Sequence, residues 1–284
     1  MNQILKPTPD ACFERGGLPV EVDLQEVPGN GGATLDVRFL GPFAATWYGN
    51  PIQMTKQARH VFAYLAFHHP RKIGRDRLAQ VFWPDKFDYD PKGALHSLDV
   101  EICNIRKALG SMEGEVFSIQ LVDNLYELKI PGRMYKDVDR LWRLNQEVQQ
   151  CLRNKKEVPE DWWQEAVQVF RNPFMEGVSA ERYNWIGAER HWIGTICESL
   201  CECYSEKLCQ EGEYWAAIEI GSIILEQDPR IESIHRRLMY CYGRLGKRHK
   251  VLEQYKRCAA VLEAEFEAKP SQQTKDMLDA FYRE

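Results

Sequence analysis

The sequence predicts a chain of mixed class. An N-terminal α+β unit of short strands, three helices and a closing hairpin is followed by an all-α unit of paired helices. Three observations carry that prediction. Short β-patterned runs broken by turn residues are confined to the stretch from Leu35 to Ile130. A helical stripe with sharp boundaries runs from Pro91 to Gly110. Beyond Pro131-Gly132 the apolar spacing is helical to the end, and one segment recurs after 34 residues.

Residues 1–34 hold four Pro and five Gly and end in PGNGG, so they read as a flexible leader with little to pack. The α+β unit is assigned to residues 35–132. LDVRFLG and FAATWYGNPI have the make-up of short strands, with Gly49-Asn50 marking a turn. Thr55 is an N-cap candidate for a helix reaching about His69 that buries Val61, Phe62, Leu65 and Ala66. Pro70 stops it. A shorter helix from Arg75 to Trp83 has Leu78, Phe82 and Trp83 on its apolar side, and the loop PDKFDYDP follows.

In PKGALHSLDVEICNIRKALG the apolar residues Leu95, Leu98, Ile102, Ile105 and Leu109 form one stripe on a helix. The opposite face carries Gly93, His96, Val100, Asn104 and Lys107, with Lys92 and Cys103 beside it. Pro91 and Gly110 give this helix its two ends. VFSIQLVDNLYELKI then reads as a hairpin turning at Asp123-Asn124. Strands, three helices and a terminal hairpin make a winged helix.

Residues 133–284 are assigned to the helical unit. VDRLWRLNQEVQQCL places Val138, Leu141, Trp142, Val148 and Leu152 on one face. Pro159 starts a helix with Trp162, Trp163, Ala166, Val167 and Phe170 on one side, and NPFMEG is a loop. Ser179 opens a long helix with a stripe of Trp185, Trp192, Ile196, Leu200, Tyr204 and Leu208. GEYWAAIEI begins at Gly212 and GKRHKVLEQ at Gly246, a spacing of 34 residues, with Ala217 matching Val251 and Ile218 matching Leu252. That is the tetratricopeptide period, in which paired helices stack because neither buries its face alone.

LDVRFLGPF, DRLAQVFWPD, NIRKALG and LYELKI resemble the OmpR-type winged helix of the SARP family of bacterial transcription activators. The segment from Asp137 onward is similar to the bacterial transcriptional activator domain, BTAD, that follows it in that family. Its most specific stretch is RIESIHRRLMYCYGRLGKRHKVLEQYKRCAAVLEAEFEAKPSQQT. The resemblance covers roughly residues 35–280. It implies an activator whose third helix reads DNA, whose hairpin is the wing, and which touches RNA polymerase, including the sigma subunit. The family's Gly-Tyr-Arg in the wing stands here as Leu125-Tyr126-Glu127.

On this reading His96, Val100 and Asn104 meet base edges. Asn suits a bidentate bond to adenine, and Val can meet a thymine methyl. Lys92, Lys107, Arg75, Arg77 and Tyr126 are assigned to the DNA backbone, which positions the helix without reading sequence. Lys86 and Phe87, where OmpR-type domains meet polymerase, are the polymerase-contact candidates. Against DNA stand Asp99, Glu101 and Glu127, and a count of 12 basic to 11 acidic residues over 35–130. Partners implied are double-stranded DNA, RNA polymerase and a second copy of the chain as a homodimer.

Two rival readings stay open. In one, the winged helix has lost DNA binding and the repeats grip a protein partner as an adaptor. In the other, the repeat groove or the thiols sense a ligand. Residues 230–257 hold nine Lys/Arg against two Glu, chiefly Arg236, Arg237, Arg244, Lys247, Arg248 and Lys250. A solvated helical face is the plainer reading, and a surface for flanking DNA or an acidic partner the sharper one.

Composition narrows the field further. Net charge is −5, so any nucleic-acid contact is local. No apolar run is long enough for a transmembrane helix, and the N-terminus has no secretory pattern, so no membrane role and a cytoplasmic location are expected. Cys197, Cys201, Cys203 and Cys209 lack the spacing of a zinc site and read as reduced core thiols; no metal or cofactor is expected. His68-His69 reads as a helix end, capping or exposed, and Trp162, Trp163, Trp185, Trp192 and Trp215 as core. No phosphate-binding Gly-rich loop, GxSxG or HExxH occurs, so the chain reads as a non-enzyme.

Overall fold

A computed structural model describes residues 35–110 and 118–282. The leader assigned to residues 1–34 and the side chain of Phe170 lie outside the described part. The described residues form two compact units: residues 35–38 with Phe43–Lys136, and Phe39–Pro42 with residues 137–282.

In the first unit β1 (Leu35–Arg38) pairs antiparallel with β2 (Ala44–Trp47), and β2 with β3 (Asn50–Pro51). The turn between β2 and β3 falls on Tyr48-Gly49, at φ 46° and 82°, one residue earlier than Gly49-Asn50. Paired left-handed residues give a hairpin the twist its strands need. The Thr55 hydroxyl accepts the Ala58 N–H at 3.3 Å and starts α1 (Lys56–His68), which buries Val61, Phe62, Leu65 and Ala66. His69 is the C-cap of α1, its N–H donating to the Ala66 carbonyl at 3.3 Å, while His68 is not exposed. Its half-buried ring packs edge-on against Tyr64, with centroids 4.4 Å apart.

After β4 (Ile73–Gly74) comes α2 (Arg75–Phe82). The stretch read as the loop PDKFDYDP is instead a helix, α3 (Pro84–Tyr89). Pro84 opens it, where a missing N–H breaks no intrahelical bond. Then come α4 (Pro91–Gly110) and the hairpin of β5 (Ser118–Val122) and β6 (Leu125–Lys129). That hairpin turns at Asp123-Asn124, both at positive φ. β4, β6 and β5 make one sheet in that order, so the hairpin lies beside the start of α2. The chain is not helical directly after Gly132. β7 (Met134–Lys136) first pairs parallel with β1, Leu35 opposite Met134. Three residues are too few to show a period of two.

The second unit is helical. α5 (Asp137–Arg153) buries Val138, Leu141, Leu144 and Val148. Leu144 completes the stripe, whereas Trp142 is half-buried and Leu152 exposed. In α6 (Glu160–Phe170) Trp163, Ala166 and Val167 are buried and Trp162 half-buried. The NPFMEG segment is held inward. Arg190 donates to the carbonyls of Phe174 (2.8 Å), Met175 and Val178 (2.6 Å each), and the Phe174 ring stacks on Phe39.

The long helix α7 (Asn184–Glu211) starts at Asn184 rather than Ser179. Ile186 and Ile193 take the inward places expected of Trp185 and Trp192, which are half-buried; Ile196, Leu200, Tyr204 and Leu208 are buried. α8 (Tyr214–Gln227), α9 (Glu232–Arg244), α10 (Arg248–Phe266) and α11 (Gln272–Tyr282) follow. Gly212 and Gly246 take φ of 84° and 69° at the two equivalent turns, a conformation open to glycine. Ala217 and Val251 are both buried one turn later. Trp215 is not core: it is 60% exposed, with Lys247 Nζ 5.8 Å from its ring centroid. The architecture is an α+β winged helix and an all-α helical repeat.

Candidate nucleic-acid interface

α4 buries Ala94, Leu98, Ile102, Ile105 and Leu109. Its inner stripe begins at Ala94, and Leu95 is half-buried. The outward face carries Lys92, His96, Val100, Cys103 and Lys107, all exposed, with Asn104 half-buried. The Asp90 carboxylate accepts the Gly93 N–H at 3.0 Å and satisfies one of the free donors at the helix start. A Cβ on Gly93 would lie 1.9 Å from Asp90 Oδ2, so a larger residue would push the capping carboxylate aside. Ser97 donates to the Gly93 carbonyl and accepts from Lys86 Nζ at 2.9 Å, tying α3 to α4.

The three acids that oppose a phosphate surface all have partners within the unit. Arg75 donates to Asp99 from Nε (3.2 Å) and Nη2 (2.5 Å), and the Tyr126 hydroxyl donates to the same carboxylate at 3.2 Å. Glu101 accepts from the Thr55 hydroxyl at 3.4 Å and from Asn104 Nδ2 at 3.2 Å. Glu127 lies 3.1 Å from Lys72 Nζ. The hydrogen bond to Asp99 holds the Arg75 guanidinium above its ordinary pKa; burial, then Asp99, pushes the Tyr126 phenol up. The Arg75–Asp99 and Lys72–Glu127 ion pairs reduce the repulsion a nearby phosphate would meet, whereas Glu101, held by neutral donors, keeps its charge.

Not every candidate stands where the sequence suggested. Arg77 is exposed, while Arg75 is half-buried and engaged by Asp99. Tyr126 is only 2% exposed, so it supports the back of α4 instead of standing at the surface. Of the polymerase candidates, Lys86 is drawn onto Ser97 and Phe87 is half-buried; Tyr89, which sequence reasoning passed over, is 78% exposed. Arg106 was missed as well. Its guanidinium donates to the Ile119 carbonyl from Nε (3.0 Å) and Nη2 (2.8 Å), fastening α4 to the wing. Tyr89 was hidden because the stretch before α4 read as a loop, and Arg106 because its partner, the Ile119 carbonyl, lies 13 residues on in the wing.

In the second unit the basic residues are largely occupied. Arg236 donates to Thr274, Arg237 to the Glu202 carbonyl, Arg244 to the Tyr214 hydroxyl and Lys250 to Glu253. Lys247 lies over Trp215, and Arg248 is exposed. Cys197 and Cys201 are buried; Cys203 and Cys209 are half-buried. Among the described residues no group of three or more His, Cys, Asp or Glu is placed to hold a metal ion, and no helix is long and apolar enough to cross a membrane.

A winged helix followed by a helical repeat is the order of a transcription regulator of the SARP type. Residues 136–280 match the family model of the bacterial transcriptional activator domain, and the chain belongs to that family. Its fold is similar to that of Mycobacterium tuberculosis EmbR, solved in complex with a low-affinity phosphopeptide. The TM-score is 0.65 at 19% identity, over 88% of this chain and 65% of that one. The chain thus spans just under two thirds of EmbR's length. No curated protein matches the sequence significantly.

Proposed function

We propose that the chain is a sequence-specific DNA-binding activator acting in the cytoplasm. α4 enters the major groove with His96, Val100 and Asn104 toward base edges. Lys92, Lys107 and Arg77 hold phosphates, and Arg75 stands behind them on Asp99. The observation that supports this most is the ion pairing of Asp99 with Arg75 and of Glu127 with Lys72 within the unit. It leaves Lys92, His96, Val100 and Lys107 exposed on one face of one helix.

Activation proceeds by recruitment of RNA polymerase, including its sigma subunit, through the α3 segment with Lys86 and Phe87, and Tyr89 beside them. A second copy of the chain supplies a second reading helix, which offsets the thin charge surplus of the domain.

Mobility-shift titration against genomic fragments, repeated over a range of salt, tests the proposal. Affinity for some fragment far above the bulk, falling steeply with salt, is the expected result. Lys92→Ala and Lys107→Ala each lower the slope of log K against log salt by about 1. Flat, feeble binding to every fragment would reject it in favour of the adaptor. Exposed Trp215 with Lys247 over its ring is what favours that second reading.

A further inference from the structure

Along one seam of the helical repeat, α9 meets α7 through side chains one turn apart. Ser233 donates to Glu202 Oε1 at 2.7 Å. Arg237, four residues on, donates to the Glu202 carbonyl and lies 3.7 Å from Glu206 Oε2. Cys241, four residues further, has its Sγ 3.2 Å from the Sγ of Cys209.

We propose that Cys209 and Cys241 are a modification site, a dithiol that a peroxide-class oxidant converts to a disulfide stapling α7 to α9. A disulfide bond is about 2.05 Å long, so the sulfurs need to close by little more than about 1 Å. The two thiols differ in access. Cys209 is half-buried, whereas Cys241 is fully buried, and burial together with the Cys209 contact pushes its thiol up. Cys209 therefore reacts first. Its thiolate attacks one peroxide oxygen, the O–O bond breaks, and hydroxide leaves, giving a sulfenic acid. The Cys241 sulfur then attacks the sulfenyl sulfur; the S–O bond breaks, the S–S bond forms, and the hydroxyl departs with the Cys241 proton as water. Two thiols lose two electrons and two protons, and one peroxide becomes two waters.

The bridge joins residues 32 apart in sequence, which is why no local motif announces it. Closing a loop of that size restricts the unfolded chain and stiffens the joint between the two repeats.

The full chain, reduced and freed of reductant, is treated with hydrogen peroxide, followed by intact mass and non-reducing peptide mapping. The expected result is a loss of about 2 Da, a cross-linked peptide pair containing Cys209 and Cys241, and a thermal midpoint raised by roughly 5–10 °C. Dithiothreitol reverses all three, and Cys209→Ser abolishes them. A pair that stays reduced while Cys103 or Cys151 oxidises, or a disulfide mapped elsewhere, overturns the proposal. Should Cys209→Ser fail to fold, the wild-type peptide map decides alone.

Discussion

Arg75, the first residue of α2, holds Asp99 of α4 in a two-pronged ion pair, and Tyr126 of the wing donates to the same carboxylate. One acid on the flank of the reading helix thus joins three elements. Two donors on one carboxylate are stronger than a single surface ion pair, but Asp99 is 43% exposed, so solvent screening reduces the gain. A double-mutant cycle with Arg75→Ala and Asp99→Ala is expected to give a coupling of about 0.5–1 kcal/mol in urea unfolding. Asp99→Ala also frees a cation at the interface, so DNA affinity rises and the salt slope steepens by about 1.

Glu101 holds one N–H of the Asn104 amide and leaves the other N–H and the carbonyl for a base. Asn104→Ala should weaken binding to the specific site by roughly 1–3 kcal/mol and barely change random DNA. Glu101→Ala should relax discrimination at the same base pair while leaving affinity for random DNA equal or higher. Competition binding with single-base variants of the site measures both. Equal loss on specific and random DNA would remove Asn104 from base reading.

His68 and Glu189, one in each unit, should contribute to stability with opposite dependence on pH. Burial, with Arg71, Lys136 and Arg77 nearby, lowers His68 from 6.5 to about 4. Between those values the unfolded chain takes up a proton that the folded one refuses, so the first unit loses stability as pH falls from 6.5 toward 4. Burial raises Glu189 from 4.5 to about 7. There the folded chain keeps a proton that the unfolded one has released, so the Glu189 contribution to the second unit is lost as pH rises from 4.5 through 7. His68→Gln should flatten the first dependence and Glu189→Gln the second. Hydrogen exchange read by mass spectrometry separates the units.

Gly243 on α9 gives α11 its seat. A Cβ there would fall 2.2–2.5 Å from ring atoms of Phe281. Gly243→Ala should displace that ring, destabilise the repeat unit by about 1–3 kcal/mol and speed hydrogen exchange in α11. Adding Phe281→Ala to it should remove most of the extra loss, since the clashing partner is then gone.

Periodicity and turn chemistry made much of this architecture legible in the linear chain. Thr55, Pro91, Gly212, Gly246 and the turn at Asp123-Asn124 all stand where the reading put them, because caps and turns act through residues a few positions away. The shortest elements were not legible. α3 and β7 span six and three residues, less than two turns of helix or two full alternations of strand. The aromatic residues misled for a related reason: Trp142, Trp185 and Trp192 are large enough to lie half out of a core that Leu144, Ile186 and Ile193 fill.

By itself, then, the sequence determined the two classes of structure, the helix that would face DNA, the repeat and its glycine turns, since each depends on neighbours along the chain. Tertiary structure alone decided what the charged residues do. Asp99, Glu101 and Glu127, read as acids spoiling a DNA surface, are bound across space by Arg75, Thr55 and Lys72, and Tyr126 is drawn inward. Arg75 and Tyr126 stand 24 and 27 residues from Asp99, and a charge's effect depends on what faces it across space.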